Sequence, residues 1–299
     1  MMPRVAGAPI SWGVCEVPGW GYQMDAERVL DEAARLGLTA LEAGPEGFLP
    51  GDPQEMAGLL SGHGLELVGG FVPAVLHRPE ARDSELASIE RQAGLFATAG
   101  AGVLVIAAAT GEEGYEESAG LEDDEWDELF STLARVEEIG AEHGLSVVLH
   151  PHYGTEIESP EHVQRFLDGC DTALCLDTGH CVVGGGDPVA LTESAAARIR
   201  HVHLKDVDKD LTERVVSGTL PYEEAVRDGL YMPLGDGDVD VRRVLEVLDG
   251  AGYDGWYVLE QDIMLAAEPS YGPAAEVGRS LAYLEGSSPD VIRRPHDRL

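Results

Sequence analysis

Eight short apolar runs recur along the chain, each followed by a longer stretch with apolar residues three and four apart, and this alternation restricts the fold more than any other feature. The runs are "RVAGAPIS", "LTALEAG", "LELVGGFVP", "GVLVIAAAT", "LSVVLHPH", "TALCLDTGH", "RIRHVHLKD" and "GWYVLEQD". Near-continuous apolarity is what the strands of a parallel sheet covered on both faces need. The helix-like stretches are 25–36, 52–63, 80–98, 121–143, 159–169, 187–197, 239–250 and 272–285. One of them, "LFSTLARVEEIGAEHG", closes on Gly144, which suits a helix C-cap. Eight β-then-α units without a break in composition predict a single α/β domain closed into a (β/α)8 TIM barrel over residues 1–285. An open doubly wound sheet is the alternative, but "APISWGVCEVPGWG" lacks the G-x-G-x-x-G spacing of a nucleotide-binding first turn.

Two segments interrupt the rhythm. After the seventh strand, residues 207–238 form a long connection with a short helix expected at 221–228 and the run "PLGDGDVD" at its end; a connection this long predicts a lid or binding element. The tail 286–299, "GSSPDVIRRPHDRL", reads as a surface or interface arm. Charge narrows the partners further: 55 Asp and Glu against 20 Lys and Arg give a net −35, a surface that repels nucleic acid and anionic membrane. Four cysteines without CxxC spacing, no charged-then-apolar leader and no run of about 20 apolar residues predict a cytoplasmic protein that neither crosses nor binds a membrane.

In such a barrel, functional groups gather at the C-terminal ends of the strands, where the unusual polar residues of this chain lie. Strand two ends at Glu42, strand five at His150 and His152, strand six at Asp177 and His180, strand seven at His201, His203 and Lys205, and strand eight at Glu260 and Asp262. Residues two apart share a strand face, so each histidine pair aims two rings into one mouth. Any one of these rings alone also fits a hydrogen-bonded structural role, and Asp177 alone fits a turn cap. Taken together they predict a metal centre, because burying several titratable groups side by side is costly unless a cation or substrate compensates. Imidazole and carboxylate donors suit a divalent ion such as Mn²⁺, Co²⁺, Zn²⁺ or Fe²⁺.

At these residues the chain resembles a known family. "CLDTGH", "RIRHVHLKDVD", "PLGDGDVDVRRVLEVLDGAGYDGWYVLEQD" and the opening "GAPISWG" are similar to the xylose-isomerase-like TIM-barrel superfamily of sugar isomerases, epimerases and dehydratases. Within it, "HPHYGTEIES", "DTGH…GGDPVAL" and the Gly-Asp-Gly-Asp run at 235–238 resemble the inosose (2-keto-myo-inositol) dehydratase group of inositol catabolism, over about residues 5 to 285. The resemblance implies that Asp177, His203 and Glu260 are metal ligands and that His150 or His152 supplies the remaining one, His150 standing where the epimerases carry a glutamate. It implies that His180 binds substrate, that Mn²⁺ or Co²⁺ is the foremost metal with Zn²⁺, Fe²⁺ or Mg²⁺ as alternatives, and, by analogy alone, that the protein is a homo-oligomer.

A polyol or sugar substrate is therefore expected, and a hydro-lyase reaction: α-proton abstraction from a keto-polyol, a metal-stabilised enolate, and loss of a β-hydroxyl. Glu260, His152 and Lys205 are the candidates for the proton-moving group. Ser11, Trp12 and Glu42 are expected along the substrate wall, Trp12 as an apolar face and Glu42 as a hydroxyl acceptor. The alternatives are a metal-dependent isomerase or epimerase of a ketose or keto acid, and a metal-binding barrel without catalysis. Losing the strand-five carboxylate weighs against the first of these, since inversion at one carbon calls for matched groups on both faces.

Overall fold

The computed structural model describes residues 4–112, 120–270 and 272–287. Its parallel sheet comprises β1 (Arg4–Gly7), β2 (Ala40–Leu41), β3 (Glu66–Leu67), β4 (Gly69–Ala74), β5 (Val103–Ala108), β6 (Ser146–Leu149), β7 (Ala173–Asp177), β8 (Ile199–Leu204) and β11 (Trp256–Leu259). Hydrogen-bonded neighbours run β3-β2-β1-β11-β8-β7-β6-β5-β4. The two ends of that order are successive pieces of one strand interrupted only at Val68, whose amide bonds the Leu41 carbonyl on one side while its carbonyl accepts from the Gly102 and Val103 amides on the other. The sheet therefore closes on itself as an eight-stranded barrel.

Eight helices return the chain between strands: α1 (Ala26–Arg35), α2 (Pro53–Gly62), α3 (Arg82–Thr98), α4 (Asp123–His143), α5 (Pro160–Gly169), α7 (Pro188–Ala195), α10 (Val241–Gly250) and α11 (Pro273–Ser287). Three begin with a capping side chain followed by proline. Asp52, Ser159 and Asp187 accept backbone N–H groups of the first turn, and Pro53, Pro160 and Pro188 fill a position whose own N–H would go unused. Gly144, at φ 71°, closes α4 in the left-handed conformation the sequence led us to expect. Three expectations need correcting. The first run ends as strand at Gly7 and tightens into a 3-10 turn over Pro9–Trp12; "DTGH" opens the short helix α6 (Thr178–Val183), capped by Asp177; and a further helix, α8 (Lys209–Val216), lies in the long connection.

Strand alternation sorts the side chains. Leu41, Val72, Ile106, Leu149, Leu176, Val202, Leu204 and Leu259 join Leu30, Ile89, Leu133, Phe166 and Leu248 of the helices in one buried apolar layer. By the period of two, the residues between them face the barrel interior. That parity turns Glu42, Phe71, His150, Asp177, His201, His203 and Glu260 inward.

The connection 207–238 carries β9 (Asp206–Val207) at its start, α8, α9 (Tyr222–Arg227) and β10 (Tyr231–Met232), with β9 and β10 paired antiparallel. Val207, Val215, Leu220, Tyr222, Ala225, Val226, Leu230 and Tyr231 form a second apolar cluster with Trp20 and Tyr153. Tyr222 stacks on Tyr153, ring centroids 4.6 Å apart. Asp206 organises the end of the segment: its buried carboxylate accepts from the amides of Val207, Gly235, Gly237 and Val239 at 2.8–3.1 Å. A Cβ at residue 237 would meet Asp206 Oδ1 at 2.4 Å, so the Gly-Asp-Gly-Asp run wraps a carboxylate. The expected tail lies outside the described residues from 288 onward. Among the described residues, no helix is long and apolar enough to cross a membrane.

Candidate metal centre and active site

At the C-terminal mouth, side chains from five strands converge. Asp177 Oδ2 lies 3.2 Å from His150 Nε2, 3.6 Å from His203 Nδ1 and 3.3 Å from Lys205 Nζ. Glu260 Oε2 lies 3.1 Å from both His203 Nδ1 and Lys205 Nζ. On the other side of the His203 ring, Glu42 Oε1 sits 3.0 Å from Nε2 and also 2.7 Å from His201 Nε2. All of these groups are buried or nearly so.

A cavity of about 340 Å³ opens above them, lined among others by Trp20, Glu42, Phe71, His150, His152, His203, Lys205, Glu260 and Asp262. Of the expected substrate wall, only Glu42 lines it. Trp12 is fully buried between α1 and the barrel, its indole N–H donating to Glu32 Oε2 at 2.9 Å, because the 3-10 turn after β1 swings it outward. Trp20 lines the cavity instead, its indole N–H anchored on the Ile263 carbonyl at 2.9 Å. The signal for Trp20 was its setting between Gly19 and Gly21, a large ring on a loop. The Ser11 hydroxyl is engaged with backbone, accepting the Gln261 amide at 3.0 Å and facing the Leu259 carbonyl at 3.4 Å. His180 lies behind the cavity wall, its ring tilted 37° against that of His152 with centroids 3.7 Å apart, because α6 turns it toward Lys205 and Tyr231.

His180 belongs to a ring of hydrogen bonds, closed by an ion pair, that also engages the long connection. Lys205 Nζ donates to His180 Nε2 at 2.9 Å, His180 Nδ1 meets Tyr231 Oη at 3.2 Å, Tyr231 meets Tyr222 at 3.1 Å, and Tyr222 donates to Asp262 Oδ2 at 3.4 Å. Asp262 Oδ1 returns to Lys205 at 2.8 Å. The sequence placed Asp262 at the strand end but gave no sign of its clamp on Lys205, nor of the two tyrosines, because that partnership spans distant segments.

The electrostatics follow from burial and these contacts. Burial alone would lower Lys205, but Asp177, Asp262 and Glu260 hold it well above the ordinary lysine value, which favours its charged form in the metal-free protein and weighs against a role as base. Burial would raise Asp177, yet Lys205 and His180 keep it well below the usual carboxylate range; burial would raise Glu42, which His203 and His201 likewise hold down. Asp262 is pushed by burial up to about 6 against the pull of Lys205. Burial drives His150, His152, His180 and His201 down and keeps those rings neutral, whereas Glu260 and Glu42 overcome burial at His203 and raise it. His152 Nδ1 faces the Tyr153 carbonyl at 2.7 Å, which assigns its hydrogen to Nδ1 and the lone pair to Nε2.

The donor set fits a divalent cation. One donor atom each from Asp177, His203 and Glu260 lie within 4.8 Å of one another, and His150 adds a fourth group beside Asp177. His203 Nδ1 is buried, turned toward two carboxylate oxygens, and makes no hydrogen bond among the described residues. Three carboxylates, Asp177, Glu260 and Asp262, here contact one ammonium, Lys205, an excess of negative charge that a dication would offset.

Three comparisons place the chain among known proteins. A family model described as xylose isomerase-like TIM barrel matches residues 30–285. An inosose dehydratase of Geobacillus kaustophilus is 32% identical over 91% of this chain and 92% of its own length, and a rhizopine catabolism protein, MocC, of Rhizobium meliloti is 33% identical over 88% and 82%. Among solved structures, the IolI protein with a bound zinc atom superposes with a TM-score of 0.71 at 14% identity, over 95% of this chain and 97% of that one. On sequence and on fold alike, the chain belongs to the xylose isomerase-like TIM-barrel family.

Proposed function

We propose that this protein is a metal-dependent dehydratase of a cyclic keto-polyol of the inosose type. The observation that carries the reading is the unlike make-up of the mouth: the imidazoles of His150 and His152 line the cavity where β6 ends, and the carboxylates of Glu260 and Asp262 line it together with the ammonium of Lys205. Such unlike groups suit removal of a proton at one carbon and delivery of a proton to a hydroxyl at the next; two-sided inversion would want a matched pair. The substrate class is drawn from the relatives named inosose dehydratase.

When held by Asp177, His203 and Glu260 with His150 beside them, a divalent cation supplies Lewis acidity that stabilises negative charge developing as the α-proton leaves. Mn²⁺ or Co²⁺ is our first choice for these mixed donors, with Zn²⁺ next, the ion named for the similar IolI structure. His152 takes the proton at Nε2, since its tautomer puts the lone pair there and its ring lines the cavity. Lys205 donates to the departing hydroxyl; the ring through His180, Tyr231, Tyr222 and Asp262 fixes where its ammonium points. Glu260 is engaged by Lys205 and His203, which makes it a ligand in preference to a base. Phe71 and Trp20 provide apolar walls, and Tyr222 and Tyr231 of 207–238 brace Asp262 and His180 from outside the cavity.

The test is to incubate metal-reconstituted protein with a panel of inososes and ketoses. Ultraviolet absorbance from a conjugated enolic diketone, lost on chelation and restored by Mn²⁺ or Co²⁺, is expected. A new sugar formed without loss of water would overturn the dehydratase reading in favour of an isomerase.

A further inference from the structure

One carboxylate in the mouth is shared by two imidazoles, and the sharing fixes how one of them presents itself. Glu42 follows β2 on its inward face, and its Oε1 lies 2.7 Å from His201 Nε2 and 3.0 Å from His203 Nε2, partners 159 and 161 residues away in the chain. A carboxylate that is ionised accepts and does not donate, so the hydrogens of both contacts belong to the Nε2 atoms. For His203 the consequence is positional. With Nε2–H given to Glu42, the other ring nitrogen, Nδ1, is turned to within 3.1 Å of Glu260 Oε2 and 3.6 Å of Asp177 Oδ2, and it makes no hydrogen bond there. An imidazole that spends one nitrogen on a carboxylate and aims the other at a cluster of oxygen donors is arranged as a metal ligand, and the carboxylate behind it both fixes the ring and strengthens the donor.

The strand register makes the arrangement rigid. His203 pairs with Asp177 of β7 on one side and with Val258 of β11 on the other, so its backbone is held by both neighbours while Glu42 holds the ring. His201, two residues below, braces the same oxygen from the barrel interior. Glu42 borders the cavity, but its Oε1 already serves two rings, which is poor provision for a substrate hydroxyl.

We propose that Glu42 is a positioning residue: it holds His203 in the Nε2–H form, so that Nδ1 is the nitrogen offered to a divalent cation together with Asp177 and Glu260. This rests on the metal-dependent reading above. The experiment is a Co²⁺ titration of the full-length protein, followed by its visible absorption, for wild type, Glu42→Gln and Glu42→Ala, with histidine ¹⁵N spectra of the Zn²⁺-loaded wild type. Expected are a hydrogen on Nε2 of His203, a Co²⁺ dissociation constant raised roughly 10- to 100-fold in Glu42→Ala, and a smaller rise in Glu42→Gln, whose carboxamide oxygen still accepts. Because Gln matches Glu in size, it carries the test if the alanine variant does not fold. The proposal is overturned if Glu42→Gln and any folded Glu42→Ala bind Co²⁺ as wild type does while KM rises at saturating metal, or if His203 carries its hydrogen on Nδ1. Wild type that takes up no divalent ion overturns the metal reading itself, a result distinct from unchanged binding in the variants.

Discussion

The chain contains two histidine pairs with the same spacing, His150-Pro151-His152 and His201-Val202-His203, and the structure treats them differently. The second pair lies inside β8, hydrogen-bonded to a strand on each side, and both rings reach one oxygen of Glu42. The first pair lies past the end of β6. His150 N–H still bonds the Ile106 carbonyl at 2.7 Å, Pro151 has no N–H to continue the ladder, and the His152 amide turns away to the Ile157 carbonyl. Its rings therefore part company, His150 to Asp177 and His152 to the Tyr153 carbonyl. A spacing of two gives a common face only while the strand lasts, and the partner then decides what each ring can do.

The largest effect should come from the pair held in the strand. His203→Ala removes a ligand, so Co²⁺ affinity should fall by more than the roughly 100-fold expected from losing a supporting partner, and turnover should vanish. His150→Glu is the contrasting change: metal retained, dehydration lost, because a third carboxylate beside Asp177 and Glu260 lowers the charge of the centre. Equal metal loss in both variants would erase the distinction between the pairs. Next is His152→Ala, for which we expect kcat lower by roughly 10²- to 10⁴-fold with Co²⁺ binding unchanged, the scale of a lost general base. Loss of metal in that variant would move His152 from the proton to the ion.

These contrasts also mark what could be read from the sequence. Strand ends at Glu42, His150, Asp177, His203 and Glu260 were legible, because eight apolar runs place them and a period of two turns them inward. Partners were not: Glu42 meets His201 across 159 residues, and Tyr222 and Tyr231 reach Asp262 and His180 from a connection whose own helices have no long periodic pattern. Trp12 misled because the apolar stretch 5–10 hides the turn after Gly7 that swings the indole away from the mouth. The Gly-Asp-Gly-Asp run is visible as a motif, but only the four amides converging on Asp206 show that it is structural.

A smaller effect, on stability, isolates the lower ring of the strand pair. His201→Gln withdraws one of the two imidazoles that satisfy a buried carboxylate, which should cost about 1–3 kcal/mol in urea unfolding of the metal-free protein. An unchanged midpoint would mean that Glu42 is adequately satisfied by His203 alone.

The finest comparison is by proton. In the metal-free protein burial lowers His150, His152 and His201, while His203 is raised by Glu260 and Glu42 against burial. The signs are opposite. A histidine lowered in the folded state contributes stability that is present above the unfolded value of 6.5 and is lost as pH falls through the folded one. The raised His203 contributes stability present below 6.5 and lost as pH rises through its folded value. Below about 6.5 the unfolded chain thus takes up protons at three rings of the two pairs that the folded chain refuses, each worth about 1.4 kcal/mol per pH unit until its own folded value is reached. His77, His162 and His180, all lowered chiefly by burial, act in the same direction, and Asp262, pushed by burial up to about 6, opposes them in part. The urea midpoint should fall steeply from pH 6.5 to 5 and more gently on the alkaline side, where His203 acts alone among the four. His152→Phe should flatten the acid limb, and Glu42→Gln, which removes one of the carboxylates holding His203 charged, should flatten the alkaline one. A midpoint that rises on acidification would mean that the two pairs are charged together in the folded protein, and that His152 is not held as a neutral ring.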